Sequence, residues 1–176
     1  MKTFIYSIFV AVVFTLSACG SSQNFLDSKT VNTLVNDKEF TFMAQRAIPT
    51  NYDVLNVMNS IPNAPQSRLL NLDYGYTIVL KKDELVATLP YFGRMFTPTM
   101  NRDKEGYRFT SKDFLIQKSE GKKGRQILEI QPKDLNHIQK IVMEIYPNGK
   151  AYVTIAANDR QPISYDGYLM TNEAEK

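Results

Sequence analysis

From Glu39 the chain alternates residue by residue, with Phe40, Phe42 and Ala44 on one side and Glu39, Thr41 and Met43 on the other. A period of two puts the first set on one face of a β-strand. The strand is expected to stop before Pro49, which has no amide hydrogen to give a ladder. Just upstream the period is longer: Val31, Leu34 and Val35 stand at i, i+3 and i+4 behind Asp27 and Ser28. Either of those two residues caps a short helix with one packing face. After the strand, Pro62 and Pro65 mark a loop.

From Arg68 onward the pattern predicts strand after strand. Tyr74, Tyr76, Ile78 and Leu80 share one face, KKDE at 81–84 makes a turn, and Leu85, Ala87 and Leu89 continue on the way back. Further strands are expected at about 107–110, 112–119, 125–130, 138–146, 150–157 and 163–170. The sharpest hairpin signal is YPNGKAY at 146–152, where Asn148 and Gly149 suit a tight turn. GKKGR at 121–125 is the densest basic run, and its bracketing glycines make it a solvated hairpin turn. Connections this short favour antiparallel pairing, because a parallel crossover needs about a dozen residues or more. The expected fold is mainly β: an antiparallel meander of eight or more strands closing into a lipocalin-like barrel or half-barrel, with one short N-terminal helix. A curved open sheet with the helix across one face is the alternative.

One stretch fits neither period. LPYFGRMF at 89–96 is almost wholly apolar, yet carries Pro90 and Gly93. Pro90 ends the strand begun at Leu85, and Gly93 permits a bend, so the segment is a corner. Two readings follow. Tyr91, Phe92, Met95 and Phe96 plug one end of the sheet beneath the helix, as aromatic clusters usually do. Alternatively they line a patch that meets a ligand or partner, with Arg94 as the charged contact. A second such stretch is NDRQPISYDG at 158–167: Asn158 and Asp159 suit a turn, Pro162 an edge strand and Gly167 a bulge. Arg160 there is expected to pair with Asp159 or Asp166, or to cap loop carbonyls, in preference to binding an anion. Arg160 and Tyr165 complete the candidate contact set with Tyr91, Phe92, Arg94 and Phe96.

The N-terminus speaks to address. Met1 and Lys2 lead into an uncharged run from Thr3 to Leu16, then Ser17, Ala18 and Cys19, the layout of a secretory signal. LSAC at 16–19 resembles the bacterial lipobox, whose cysteine thiol is lipidated after cleavage just before it. The expected organisation is a signal peptide over 1–18, a lipidated tether over 19–26 and one β-rich domain over 27–176, with the membrane a partner through the anchor on Cys19. Cys19 is the single cysteine of the chain, so the mature domain relies on its core and not on an internal disulfide.

Cleavage leaves 158 of the 176 residues, enough for one domain with its own core. Only Lys2 is lost among charged residues, so 21 basic and 18 acidic residues become 20 and 18, a net charge of +2. That balance gives no footprint for nucleic acid. Catalytic signals are equally thin. His137 is the single histidine, and the chain has no nucleophile-elbow, zinc-protease or phosphate-cradling motif. Asp83 with Glu84, and Asp103 with Glu105, read as turn residues and not as a convergent metal site. The expectation is a non-enzyme with no cofactor, no metal and no catalytic residues.

LPYFGRMF, NGKAYVTI at 148–155 and NDRQPISYDGYL at 158–169, in that order behind a lipobox, resemble a family of small Bacteroidetes envelope lipoproteins, the domain of unknown function DUF4251. The resemblance spans nearly the whole mature chain. It implies a secreted, lipid-anchored, mostly β domain of lipocalin-like topology, and it brings no activity with it. The residues after Cys19 are GSSQN, without the aspartate or acidic cluster that would redirect the protein, so the resemblance implies the periplasmic face of the outer membrane. Two functions fit: a binding module for an apolar ligand, its interior lined by residues such as Tyr74, Tyr76, Phe109, Phe114 and Ile127, or an interaction protein contacting another envelope component through 89–96 or a sheet edge.

Overall fold

The computed structural model describes residues 26–62, 66–96 and 105–172. Cys19 and the leader before it lie outside the described residues. The chain begins with α1 (Ser28–Asp37), where Asp27 is the N-cap and its carboxylate accepts a 3.1 Å hydrogen bond from the Thr30 amide. The helix ends at Lys38, which takes a left-handed conformation at φ 58°. Of the predicted stripe, Val31 and Val35 are buried in the core and Leu34 packs against it from a partly buried position.

Nine strands follow: β1 (Phe40–Pro49), β2 (Thr77–Leu80), β3 (Leu85–Leu89), β4 (Tyr107–Ser111), β5 (Phe114–Glu120), β6 (Gln126–Pro132), β7 (Ile138–Ile145), β8 (Lys150–Ala157) and β9 (Ile163–Met170). They form a single antiparallel sheet in the order β4-β3-β2-β1-β9-β8-β7-β6-β5. The meander is therefore joined end to end through β1 and β9, giving a nearly closed barrel. Its seam lies between β4 and β5, which are connected by only Lys112 and Asp113 and do not pair. Asp134 clasps that seam. Its carboxylate accepts from the Ser111 hydroxyl, from the Lys112 amide at 2.8 Å and from the Asp113 amide at 3.4 Å. On the β5 side, α1 is tied across by Lys118 Nζ to Asn36 Oδ1 at 2.6 Å and by Gln126 Nε2 to Asn32 Oδ1.

The alternation read in β1 changes phase midway. Phe40, Phe42 and Ala44 face the core, then a bulge between Ala44 and Arg46 lets Ala47 and Pro49 turn inward instead. The strand thus runs through Pro49, one residue past its expected stop, at the sheet position opposite Ile163. Gly167 faces Ala44 across this join, and a Cβ there would overlap the Met43 carbonyl oxygen, so only glycine allows the approach of β9 to β1.

Alternate residues of every strand but β5 fill the barrel: among them Ile78, Leu85, Leu128, Ile141, Met143, Val153, Ile155 and Ile163 are buried, while β5 adds the partly buried Phe114 and Ile116. A barrel of this size packed with Leu, Ile, Val and Met side chains is a core and not a ligand chamber. The residues expected to line such a chamber divide accordingly. Phe109 is buried, and Tyr76 and Phe114 pack against the core from partly buried positions. Ile127 sits on the outer face of β6, between the inward Gln126 and Leu128. Tyr74 is 73% exposed. The extended run predicted through Tyr74 is broken because Gly75 takes φ 114°, so β2 starts only at Thr77.

The expected loop after β1 is instead helical. Tyr52–Asn59 form α2 and Gln66–Leu70 form α3, the latter where strand was expected from Arg68. Leu55, Met58 and Leu70 pack onto the barrel from these helices.

Candidate functional site

Leu89 ends β3, and the chain then turns across the end of the barrel as the predicted corner. The corner is strapped to the loop between β8 and β9. The Phe96 amide donates to the Asp159 carbonyl at 2.7 Å, the Gln161 amide donates to the Arg94 carbonyl at 3.1 Å, and Met95 and Arg160 form an isolated antiparallel bridge. The Tyr91 hydroxyl sits between the Arg94 and Gln161 carbonyls, at 2.9 and 3.1 Å.

Arg160 lies at the centre of this strap and is only 3% exposed. Its guanidinium meets the Asp159 carboxylate through Nε at 3.1 Å and Nη2 at 2.8 Å, and Nη1 donates to the Gly106 carbonyl at 3.2 Å. Its planar group is 5.1 Å from the ring centroids of both Tyr91 and Tyr107, which meet edge to face at 5.7 Å. Burial is the largest single influence and acts against the Arg160 charge, but the hydrogen bonds to Asp159 and the attraction of its carboxylate together raise the pKa. The same hydrogen bonds, ahead of the opposing burial, hold Asp159 below the usual carboxylate range. Burial pushes the hydroxyls of Tyr91, Tyr107 and Tyr165 up, so all three stay protonated at neutral pH.

Three of the six contact candidates are therefore structural. Arg160 pairs with Asp159, one of the two carboxylates the sequence offered it, Tyr91 stacks on it, and Tyr165 is wholly buried beneath Pro90. The plug reading holds for Tyr91 and in part for Phe92, which packs half-buried against the core. It fails for Phe96, which is 59% exposed, because the amide of Phe96 is spent on Asp159 and the side chain is carried past the rim. Nor does the plug sit beneath the predicted helix. The chain enters α1 near the β7–β8 hairpin, where the Leu26 amide reaches Asn148, whereas the corner caps the opposite end of β9.

What the corner leaves open is a groove. Phe92, Gly93 and Arg94 form one wall; Val57, Met58 and Ile61 from α2 and the turn after it, with Leu69 from α3 and Asn51, form the other. It holds about 560 Å³. Val57 is 64% and Ile61 45% exposed, large apolar side chains left uncovered along the trench. Among the described residues the Arg94 guanidinium has no ion-pair partner. A second concavity of about 330 Å³, beside Tyr146, Asn148, Lys150 and Asp166, has a mixed polar and apolar lining.

The α2 wall was missed at sequence level although it carried a signal: Val54, Val57, Met58 and Ile61 stand at i, i+3, i+4 and i+7. His137 is exposed, its ring edge-on to Phe109 at 6.4 Å. Among the described residues no group of three or more His, Cys, Asp or Glu is placed to hold a metal ion.

The family model for the domain of unknown function DUF4251 matches residues 23–169. The crystal structure of a DUF4251 family protein from Bacteroides eggerthii DSM 20697 superposes with a TM-score of 0.50 at 12% sequence identity, covering 85% of this chain and 92% of that one. That likeness speaks for the fold alone. No curated protein matches the chain.

Proposed function

The chain belongs to the DUF4251 family, and from that premise we propose that it is a lipid-anchored cell-envelope protein serving as a non-enzymatic binding module for an apolar ligand. The ligand site is the groove between α2 and the 92–94 corner, outside the barrel. One observation carries this reading: the barrel is filled with its own side chains, while Val57 and Ile61 stand uncovered beside Phe92. Burying a side chain of that size is worth about 1.5–3 kcal/mol, and a groove of this volume falls in the range of about 300–1,000 Å³ common for small-molecule sites.

The anchor fits the same arrangement. The step from Cys19 to Leu26 can reach at most about 24 Å, and Leu26 lies at the β7–β8 end. The groove lies at the other end of β9, whose eight residues span a similar distance of about 24 Å. The groove then faces away from the bilayer that holds the anchor, toward the periplasm for an outer-membrane protein anchored on that side. The test is binding of the neutral fluorophore N-phenyl-1-naphthylamine. Enhanced, blue-shifted emission with the wild-type domain, lost in Val57→Glu at unchanged melting temperature, supports the site; equal enhancement in both refutes it.

A second reading, contact with another envelope component, draws on the exposed Phe96 and on Leu115, exposed on the unpaired edge strand β5. Site-specific photocrosslinking from positions 96 and 115 in intact cells distinguishes it, since a discrete protein adduct is expected only if those side chains meet a partner.

A further inference from the structure

We propose that the groove takes a single-chain anionic amphiphile, with the acyl tail against Val57, Ile61 and Phe92 and the acid head on Arg94. The inference rests on the groove reading above and adds the chemical class of the ligand.

Charge is the first argument. Among the described residues Arg94 is the sole ionisable one lining the groove, and none of them neutralises it. Its carbonyl accepts from both the Gln161 amide at 3.1 Å and the Tyr91 hydroxyl at 2.9 Å, so Arg94 is held by its backbone at the edge of an apolar groove. A guanidinium presents a planar fork that matches a carboxylate or a phosphate ester with two parallel hydrogen bonds. A cationic amphiphile would meet like charge at the same place.

Size is the second. A trench of about 560 Å³ falls in the range of about 300–1,000 Å³ common for small-molecule sites. A flexible chain fits a trench of this size and pairs an apolar length with one charged end, which is the pattern of the lining.

The experiment is calorimetric titration of the intact domain, below the micellar range, with decanoate, dodecanoate and tetradecanoate, and with methyl dodecanoate as the uncharged control. Each two-carbon step is expected to tighten Kd by about tenfold. Arg94→Gln is expected to weaken dodecanoate by about fivefold and leave the methyl ester unchanged. Val57→Glu, at an exposed position, is expected to abolish both.

The outcomes separate cleanly. Equal affinity for acid and ester, or an Arg94→Gln domain that binds dodecanoate like the wild type, overturns the head-group assignment and leaves the apolar site standing. Absence of binding by every chain overturns both. Sedimentation of the same samples adds one more outcome: a dimer that Val57→Glu dissociates gives the groove to a second copy of this chain and overturns the amphiphile.

Discussion

The hydroxyl of Tyr165 donates a 2.6 Å hydrogen bond to the carbonyl of Pro90, joining two positions 75 residues apart. Tyr165 stands on β9 with no exposed surface, and Pro90 is the first residue past β3. The bond fixes the point at which the corner leaves the sheet, and with it the height of Phe92 and Arg94 above the barrel rim. A proline cannot anchor itself through an amide hydrogen, so its carbonyl is the only backbone handle available.

Tyr165→Phe removes that handle and nothing else. A buried carbonyl left without its donor costs about 1–3 kcal/mol, a fall of roughly 2–4 °C in melting temperature per kcal/mol for a domain near this size. Hydrogen exchange should quicken at the Phe96 and Gln161 amides, which bind the corner to the 159–161 loop. Unaltered exchange there would mean that the corner is held without Tyr165.

The two arginines of this region should separate sharply. Arg160→Lys loses the paired contact to Asp159, the Gly106 hydrogen bond and the stacking on Tyr91 and Tyr107, and is expected to cost about 2–3 kcal/mol. The figure is below that for a wholly buried pair because the Asp159 side chain is 28% exposed and regains water. Arg94→Ala, on an exposed side chain, should stay within about 0.5 kcal/mol. Urea unfolding of the two variants measures both, and comparable losses would make Arg94 structural.

The strands were legible because each carries its own alternation and its own turn: Asn148-Gly149 and the basic turn at 121–125 close hairpins that need no distant information. The closure of β1 on β9 was not, since nothing local links Ala44 to Gly167 and the bulge that aligns them flips the phase of β1. The seam was also hidden. A two-residue link between β4 and β5 reads as a hairpin, yet those strands part, and only Asp134, twenty-one residues beyond Asp113, shows what holds the turn instead. In the site, Arg160 was read correctly because its partner is its neighbour in sequence. The α2 wall was lost to Pro62 and Pro65, which suggested a loop although both lie outside the helix they flank.

Anchoring is tested independently of the fold. Cys19→Ser cannot form the thioether, so palmitate labelling and membrane retention should both be lost. Protease treatment of intact cells should leave the wild-type protein whole if it faces the periplasm; its digestion would place it on the cell surface.

The clasp at the seam predicts an acid response. Hydrogen bonds from Ser111, then Lys112, hold the Asp134 carboxyl below the usual carboxylate value. A folded pKa depressed below the unfolded value, about 3.9 for aspartate, means the contribution is present above that value and is lost as pH falls through the folded pKa. Asp159, depressed by Arg160, acts in the same direction. Melting temperature should therefore drop on acidification below about pH 4, and Asp134→Ala should be less stable than wild type at pH 7 by a margin that shrinks toward pH 2. A constant margin across that range would show that the carboxylate charge does not hold the seam.

Phe92 and Phe96 were expected to behave alike, as parts of one plug, and the structure sets them apart. Phe96 is 59% exposed, so Phe96→Ala should change stability by no more than about 0.5 kcal/mol. Phe92 is half-buried against the core and also forms one wall of the groove. Complete burial of a phenylalanine makes truncation cost about 3–5 kcal/mol, so half that burial gives about 2 kcal/mol for Phe92→Ala. The same substitution removes the aromatic wall opposite Val57 and should weaken apolar-probe binding, whereas Phe96→Ala should leave it intact. Phe92→Leu sorts packing from recognition: it restores most of the lost volume and should recover stability. If it recovers melting temperature but not probe affinity, the ring itself contacts the ligand; if it recovers both, Phe92 serves the groove by shape alone. Loss of probe binding in Phe96→Ala, with Phe92→Ala unaffected, would move the site off the groove and onto the exposed rim.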